Sequence, residues 1–194
     1  MIRPYRESDL PELRRICLLT GRAGTDATGQ YSSDELLPDV FLEPYVTLEP
    51  RTAWVVELDG APVGYLVGTL DTAALARAWE GSWAPEFARR HPDVVAGEEW
   101  LHAWRPSVEE GYPAHLHIDL LPRAQGAGWG RALIRELAAA ALAAGVRGIH
   151  LGMAADNRAA LAFYERLGFA VLRADAEVLV LGADPALLLE GRPS

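Results

Sequence analysis

Three glycines alternate with other residues at one point of the chain, where a predicted strand leads into a predicted helix. Residues 120–131 there read LLPRAQGAGWGR. Glycine lets the backbone turn tightly and bring its N–H groups close to an anion, and the first turn of a helix adds positive potential. This pattern predicts a pyrophosphate site built from backbone N–H groups, to which Arg123 and Arg131 add local positive charge.

Polar side chains alternate along the strand that precedes this loop. His115, His117 and Asp119 fall on one face of it, because successive side chains of a strand point to opposite faces. A histidine beside a carboxylate can remove a proton from a substrate, although such residues can also form an ordinary hydrogen-bonded, partly solvated face. His-x-His also occurs in zinc sites, but no further histidine or cysteine lies at ligand spacing nearby, so we predict no metal.

A dinucleotide-binding turn is the main alternative for the glycine stretch. Asp156 follows the next predicted strand, where an acid that binds ribose could lie. The spacing argues against this alternative, because that turn needs G-x-G-x-x-G, and the position that should hold its last glycine is Arg131. Asp156 and Asn157 also begin a predicted helix instead of ending a strand.

Hydrophobic periodicity and turn signals predict the elements that position these residues. The second half predicts a strand at Ala114–Leu121, a helix at Gly128–Ala144, a strand at Arg147–Met153, a helix capped by Asp156 or Asn157 that ends at Gly168, and a closing β-pair at Phe169–Arg173 and Glu177–Leu181. The first half predicts a helix from Ser8 to about Leu19, a helical segment after Ser33 that Pro38 interrupts, and a hairpin of Thr52–Leu58 and Pro62–Leu70. One α/β domain over residues 1–194 accounts for this order.

Residues 71–112 differ in composition and are interpreted as a helical insertion within that domain. They hold four of the six tryptophans, in the pairs Trp79/Trp83 and Trp100/Trp104. Each pair, spaced i, i+4, would lie on one face of a helix. The rings either attach the inserted helices to the core or wall a substrate pocket, and the two roles are compatible.

Composition excludes several classes of function. The net charge is −9 and all 18 basic residues are arginine, which argues against a nucleic-acid partner, a Walker-type phosphate loop and a lysine Schiff base. Cys17 is the only cysteine, so no internal disulfide can form. The sequence shows no apolar signal core at its start, and its longest apolar run, residues 137–144, is far short of the roughly 20 residues that span a bilayer. We expect a cytoplasmic protein with no membrane partner.

Two motifs resemble the GNAT superfamily of N-acetyltransferases. Gln125, Gly128 and Gly130, read as Gln-x-x-Gly-x-Gly, are similar to its acetyl-CoA loop. Residues 157–169, NRAALAFYERLGF, resemble its second motif, an asparagine-led helix that ends in tyrosine and Leu-Gly-Phe. The segments DATGQY (26–31), GYLVGT (64–69) and HLHIDLLP (115–122) resemble bacterial relatives of the acetyltransferase-like C-terminal domain of O-GlcNAcase. That similarity covers nearly the whole sequence.

The resemblance implies a mixed, splayed β-sheet flanked by helices, with acetyl-CoA as acetyl donor. The pantetheine arm would lie between two splayed strands and bond to exposed backbone like an added strand. The cofactor-binding residues implied are Ile118, Leu120 and Leu121 for the arm, Gln125, Gly126, Ala127, Gly128, Trp129, Gly130 and Arg131 for the pyrophosphate, Asn157 for the arm or a phosphate, and Tyr164. Trp129 stands where the family usually has an aliphatic residue.

The implied activity is transfer of an acetyl group from acetyl-CoA to a primary amine by direct attack. A base must take a proton from the substrate ammonium, a backbone N–H should stabilise the oxyanion, and an acid can protonate the departing thiolate. Tyr164 is the candidate acid, since a phenol of pKa about 10 keeps its proton until a thiolate appears, whose own pKa is about 8.5; it could instead only pack on the buried stripe of its helix. Asp119 is the preferred base, with His117 as a relay or alternative.

Sequence does not select the acceptor. The acidic composition favours a cationic amine, which could be a small molecule, a peptide N-terminus or a lysine side chain, and the oligomeric state stays open. The alternative function is that of an acetyl-CoA-binding pseudo-acetyltransferase module without turnover.

Overall fold

The computed structural model describes residues 1–96 and 110–190. Its strands are β1 (Ile2–Pro4), β2 (Ala53–Leu58), β3 (Ala61–Thr69), β4 (Ala114–Leu120), β5 (Ile149–Ala154), β6 (Ala170–Ala174) and β7 (Val178–Ala183). Its α-helices are α1 (Leu10–Thr20), α2 (Leu36–Phe41), α3 (Glu43–Leu48), α4 (Thr72–Ala78), α5 (Ala84–Arg90), α6 (Pro92–Ala96), α7 (Trp129–Ala143), α8 (Arg158–Leu167) and α9 (Pro185–Glu190). The strands and helices predicted for the second half are confirmed, with small shifts at their ends.

The seven strands form one mixed sheet in the order β1-β2-β3-β4-β5-β7-β6. Neighbouring strands are antiparallel except β4 and β5, which are parallel. The β2–β3 hairpin turns at Asp59 and Gly60, whose φ angles of 51° and 77° suit a type I′ turn. The predicted hairpin and the predicted mixed sheet flanked by helices are therefore confirmed.

The sheet separates two hydrophobic cores. On one face α7, α8 and α9 bury apolar side chains such as Leu133, Leu137 and Leu188 against the strands. On the other face α1 and α3 contribute Ile16 and Tyr45 to a second core. β4 contributes apolar side chains to the first core. Its polar residues lie on the second face, and they belong to the candidate site.

Helix α2 and the segment from 71 to 96 form a third, smaller cluster. Trp79 and Trp83 lie in a π-helical turn between α4 and α5, and both are buried against α2 and Phe87. The Trp83 indole N–H donates to the backbone carbonyl of Asp39 at 2.9 Å. This tryptophan pair attaches the segment to α2, which is one of the two roles that the sequence allows, whereas Trp100 and Trp104 lie outside the described residues.

Two predicted helix signals act differently in the structure. Ser8 does not cap α1; it lies in a 3₁₀ turn, where the Asp9 carboxylate instead accepts the Arg6 N–H at 2.8 Å. Pro38 does not interrupt α2, because it occupies the third residue of the helix. Proline is tolerated there since an N–H in the first turn has no intrahelical acceptor to lose. In the described ranges, no helix has both the length and the apolar character needed to cross a bilayer.

Candidate active site

Strands β4 and β5 separate after a short stretch of pairing, and this opening is the centre of the candidate site. Their parallel ladder ends at the His115–His150 pair, whereas β4 stays paired with β3 along its whole length. The close β3–β4 approach depends on a glycine in β3, since a Cβ added to Gly68 would lie 2.6 Å from the His115 carbonyl oxygen. The splay expected between the two parallel strands is thereby confirmed.

The edge of β4 presents backbone groups to this opening. Leu121 donates its N–H to the Val63 carbonyl at 2.9 Å, which places the odd-numbered residues of β4 in hydrogen-bonded register with β3. The backbone groups of even-numbered residues therefore turn toward β5. Because β4 is no longer paired with β5 beyond His115, the N–H and C=O of Ile118 and the N–H of Leu120 face the opening. An extended series of amides could bind there as a strand would.

Some of the groups predicted to bind a cofactor are used within the loop itself. The Gln125 side-chain amide donates to the Leu120 carbonyl at 2.9 Å, and the Gln125 backbone N–H donates to the Pro122 carbonyl at 3.1 Å. The Leu121 carbonyl accepts the N–H of Ala124 at 2.8 Å. Gln125 and Leu121 thus shape the loop and position the donors that follow.

Those donors are the six consecutive backbone N–H groups from Gly126 to Arg131. None of them makes a hydrogen bond to an acceptor within residues 1–96 and 110–190. Gly126 and Gly128 have φ angles of 74° and 85°, and a Cβ on either would point into open space. Gly128 is also the N-cap of α7, so the run of donors, which includes Ala127, coincides with the positive end of a helix dipole.

Gly130 has a different structural purpose from the two glycines before it. A Cβ there would lie 2.9 Å from Cζ of Phe163, so the missing side chain lets α7 approach α8 closely. Trp129 is half-buried and packs against the same core as α7 and α8. The large ring at this position therefore supports the base of the loop.

Tyr164 lies on α8 and is buried, with 8% of its surface exposed. Its ring makes edge contacts with Phe163 and Phe169 at centroid distances of 5.1 and 5.5 Å. Its hydroxyl has no hydrogen-bond partner in the described part of the protein. Burial raises the pKa of the phenol, and the nearby charge of Asp119 raises it further. At neutral pH the phenol holds its proton.

Asp119 lies at the end of β4, with both carboxylate oxygens hydrogen-bonded. The Tyr65 hydroxyl donates to Oδ2 at 2.5 Å, and the Thr20 hydroxyl lies 2.8 Å from Oδ1. Burial raises the pKa of Asp119, while the bonds from Tyr65 and Thr20 lower it, with a net increase. This carboxylate is half-buried and close to the opening, yet it is already engaged by two side chains.

His117 lies two residues before Asp119 on the same face of β4. Its Nε2 is 3.0 Å from the Tyr45 hydroxyl, and its ring contacts Phe41 edge-on at 5.2 Å. Burial, and then the proximity of His150, lower the pKa of His117 to about 4, so the ring is neutral at pH 7. His115, His117 and Asp119 share one face of β4, as their alternation predicts.

Asn157 is held by two contacts, one on each side of its amide. Its Oδ1 accepts the Ala160 N–H at 3.0 Å and caps α8, as predicted. Its Nδ2 donates at 3.2 Å to the carbonyl of Ala23, in the glycine-containing loop that follows α1. The side chain predicted to bind a phosphate or the pantetheine arm therefore also ties that loop to α8.

The residues that sequence reasoning missed are Tyr45, Tyr65, Thr20 and Thr72, which surround the polar face of β4. They come from α1, α3, β3 and α4, and their hydroxyls bond to Asp119, His115 and His117. No spacing rule connects residues so far apart in the sequence. The unusual polar alternation of β4 was the one local signal that buried partners had to exist, because buried polar groups need hydrogen bonds.

The site fits a diphosphate joined to an extended arm that contains amides. The consecutive N–H groups at the start of α7 suit the diphosphate, and the edge of β4 beyond its ladder with β5 suits the amides. Arg123 and Arg131 are exposed beside the loop and add positive charge. Within the described ranges, no group of three or more histidine, cysteine or acidic residues is arranged to hold a metal ion.

Comparison with known proteins agrees with this geometry. A model of the acetyltransferase (GNAT) family matches residues 23–169. The crystal structure of SsHAT is similar at 37% sequence identity over 95% of this chain and 98% of that chain, with a TM-score of 0.88.

More distant crystal structures share the fold. A GCN5-related N-acetyltransferase from Kribbella flavida is 18% identical over 95% of this chain and 96% of that chain, with a TM-score of 0.59. Chaetomium thermophilum Naa20, in complex with a bisubstrate analogue, is 21% identical over 98% of this chain and 89% of that chain, also with a TM-score of 0.59. At these identities the likeness concerns the fold alone.

Proposed function

The protein belongs to the acetyltransferase (GNAT) family, and on that basis we propose that it transfers an acetyl group from acetyl-CoA to a primary amine by direct attack. The observation that carries the proposal is the run of N–H groups from Gly126 to Arg131, which have no acceptor among the described residues, at the end of an opening between β4 and β5. A cofactor with a diphosphate and an amide-containing arm matches both parts. Acetyl-CoA, when bound, supplies the acetyl group as a thioester.

Different residues of the protein bind different parts of that cofactor. The N–H groups of Gly126–Arg131 bind the pyrophosphate, and the edge of β4 at Ile118 and Leu120 binds the arm. Gln125 and Leu121 hold the loop in the conformation that points those donors outward. Asn157 remains in reach as a further ligand because its amide has a second N–H, but its present contacts are with Ala23 and Ala160.

Tyr164 is the proposed acid that protonates the departing thiolate. A buried phenol with a raised pKa keeps its proton at neutral pH until negative charge develops on the departing sulfur beside it. Its hydroxyl has no protein partner among the described residues, so it is available to a substrate atom. A backbone N–H on the β4 edge is the proposed oxyanion donor.

The amine substrate enters from the face of β4 that carries Asp119 and His117. Both are candidates for the group that takes a proton from the amine, since they lie on the same face and close to the opening. The net charge of −9 favours a cationic substrate through electrostatic steering. The acceptor is therefore proposed as a primary amine that is protonated in solution, in a small molecule or a peptide.

Titration calorimetry and a thiol-release assay together test this proposal. We expect acetyl-CoA to bind with a micromolar dissociation constant, and free thiol to appear when a suitable amine from a panel of small amines and peptides is added. Coenzyme A without the acetyl group is the control ligand, and NAD is the control for the rejected dinucleotide turn. Binding without thiol release for every amine would overturn the transfer reaction and favour a cofactor-binding module, and no binding would overturn the site.

A further inference from the structure

The buried side of the polar face of β4 contains a series of hydrogen bonds that joins five residues. It runs from the Pro113 carbonyl through the Thr72 hydroxyl, the His115 ring and the Tyr45 hydroxyl to the His117 ring. Tyr45 and His115 are almost completely buried, at 2% and 3% exposure. Because one end of the series is a carbonyl, which can only accept, the position of every proton along it can be worked out.

The Thr72 hydroxyl determines the position of the first proton in the series. Its Oγ1 lies 2.7 Å from the Pro113 carbonyl oxygen, and two oxygens approach this closely only with a proton between them. Since the carbonyl has no proton, the Thr72 hydroxyl must donate its single one. Nδ1 of His115, 2.6 Å from the same Oγ1, must then be the donor in that contact, because the hydroxyl has no second proton.

The next two contacts follow from this first one. Burial lowers the pKa of His115 well below its usual value, so the ring is neutral and carries its one proton on Nδ1. Nε2 of His115 is therefore an acceptor, and the Tyr45 hydroxyl donates to it at 2.7 Å. Having used its proton, the Tyr45 oxygen can only accept from His117, so Nε2 of His117 is the donor at 3.0 Å.

These contacts define the tautomer of His117, which lies beyond the end of the β4–β5 ladder. A neutral His117 that carries its proton on Nε2 has a free lone pair on Nδ1, and Nδ1 has no hydrogen-bond partner in the described part of the protein. By contrast, both oxygens of Asp119 already accept bonds from the protein or lie against a hydroxyl. Nδ1 of His117 is thus an acceptor with no contact in the described part of the protein, on the face where each oxygen of Asp119 already has one hydroxyl contact.

We propose that Nδ1 of His117 accepts the proton of the attacking amine, and that Tyr45, His115 and Thr72 are positioning residues that keep this nitrogen unprotonated. The inference rests on the proposed acetyl transfer and narrows its two candidate bases to one. The ammonium form of the substrate first loses one proton to solvent, because only the free amine attacks. As the bond between the amine nitrogen and the acetyl carbon forms and the carbon–sulfur bond breaks, one amine proton moves to Nδ1. Tyr164 gives one proton to the sulfur. His117 then releases one proton to solvent and Tyr164 takes up one, which restores both residues.

The tautomers can be read directly by ¹⁵N NMR of protein labelled on histidine, without any substrate. Long-range ¹H–¹⁵N correlation distinguishes a protonated ring nitrogen from a bare one, and the loss of signals in His117→Gln and His115→Gln assigns the two rings. We expect the bare nitrogen to be Nδ1 in His117 and Nε2 in His115. A bare Nε2 in His117 would overturn the proposal.

Substitutions along the hydrogen-bonded series test whether the distant residues position His117. Thr72→Val removes the hydroxyl but keeps the shape, and we expect the His115 and His117 signals to shift toward a mixture of tautomers, while Thr72→Ser retains the wild-type pattern. Tyr45→Phe should also shift His117 toward a mixture of tautomers. Tyr65→Phe, which removes a phenol from the same face, should leave the His117 signals unchanged. A His117 pattern that is insensitive to both Thr72→Val and Tyr45→Phe would contradict the positioning role.

Kinetics then test the role of Nδ1 itself. We expect His117→Gln to lower kcat/KM for the amine about 100-fold, in the range usual for loss of a general base, with the dissociation constant of acetyl-CoA unchanged within about twofold. Asp119→Asn should have the smaller kinetic effect, and the reverse order would overturn the assignment of the base to His117. If the wild-type protein transfers acetyl to no amine, the proposed function fails, while the NMR result still decides whether the hydrogen-bonded series sets the tautomer.

Discussion

A β-carbon added to Gly130 would lie 2.9 Å from Cζ of Phe163, so the helix that begins with the predicted pyrophosphate loop touches the helix that carries Tyr164. Phe163 precedes Tyr164 directly, and the two rings pack edge-on. The loop and the proposed acid are thus connected by one contact between neighbouring helices. A substitution at Gly130 should therefore alter the packing around Tyr164.

Gly130→Ala should destabilise the protein by about 1 kcal/mol, because the added methyl group forces the half-buried Phe163 ring to shift. Phe163→Leu removes the ring atom that the methyl group would meet. We therefore expect the double variant to lose less free energy of unfolding than the sum of the two single variants, measured by urea unfolding. Additive losses would show that the methyl group is accommodated elsewhere.

Gly128→Ala should weaken the binding of acetyl-CoA through strain in the loop. Its φ of 85° costs an L-residue about 1–2 kcal/mol, although a Cβ there would meet nothing within 4 Å. Gly145, after the end of α7, has a φ of 75° and equally open surroundings, so Gly145→Ala is a matched control. Both variants should lose similar stability in urea unfolding, and only Gly128→Ala should raise the dissociation constant measured by calorimetry.

Equal dissociation constants for Gly128→Ala and Gly145→Ala would contradict a phosphate-binding role for the loop. The comparison separates general destabilisation from a local effect because the two glycines share backbone conformation and lie at opposite ends of α7. A loss of binding in both variants would point to an indirect effect of stability.

The sequence predicts those parts of the site that are local along the backbone. The strand period of two places His115, His117 and Asp119 on one face, and glycine chemistry predicts the phosphate loop, because both depend on residues that are close in sequence. The partners of that polar face cannot be predicted in this way. Tyr45 reaches His115 across 70 residues, and only the packing of α3 on the sheet brings the two together.

The same difference between local signals and long-range packing applies to the fold. Asp59 and Gly60 predict the hairpin because a type I′ turn needs positive φ at both positions. Pro38 is misleading, since the effect of a proline depends on whether it falls in the first turn of a helix or in its middle, and the start of α2 is not marked by a strong cap. Elements with a specific turn or cap residue are therefore predicted better than those fixed by tertiary packing.

Tyr164→Phe should lower kcat about 100-fold and change the dissociation constant of acetyl-CoA by less than about twofold, because the hydroxyl acts on the leaving thiolate and not in binding. Tyr5→Phe, a partly buried tyrosine packed against the other core, is the control for loss of a phenol. Because burial raises the pKa of Tyr164, the wild-type rate should not decline between pH 7 and 9 through ionisation of this group. Unchanged turnover of Tyr164→Phe across this range would exclude it as the acid.

Asp119→Asn should change how stability depends on pH. Burial raises the pKa of Asp119 in the folded protein, so folding disfavours its ionised form. The free energy of unfolding of the wild type should therefore fall, relative to the variant, as pH rises from the ordinary pKa of a carboxyl to the raised one. Urea unfolding at pH 4 and pH 7 measures this, and wild type minus variant should be larger at pH 4. A difference that is constant, or larger at pH 7, would mean that the pKa is not raised.

Asn157 makes two contacts, the cap of α8 and the hydrogen bond to Ala23, and different substitutions remove one or both of them. Asn157→Asp keeps the oxygen that caps α8 but removes the amide that donates to the Ala23 carbonyl, whereas Asn157→Ala removes both. Loss of the cap should cost about 1 kcal/mol, so only Asn157→Ala should lose stability in urea unfolding. Asp71→Ala, which removes the side chain that caps α4 through the Ala74 N–H, provides the cost of a lost cap alone.

Loss of the contact with Ala23 should free the loop that follows α1, and this loop contains the exposed Arg22. Trypsin cleaves after arginine, so limited proteolysis followed by mass spectrometry reports opening of the loop at Arg22. We expect faster cleavage there in both Asn157→Asp and Asn157→Ala than in the wild type, and no acceleration in Asp71→Ala. Wild-type rates of cleavage in Asn157→Asp would show that the Asn157–Ala23 hydrogen bond does not restrain the loop.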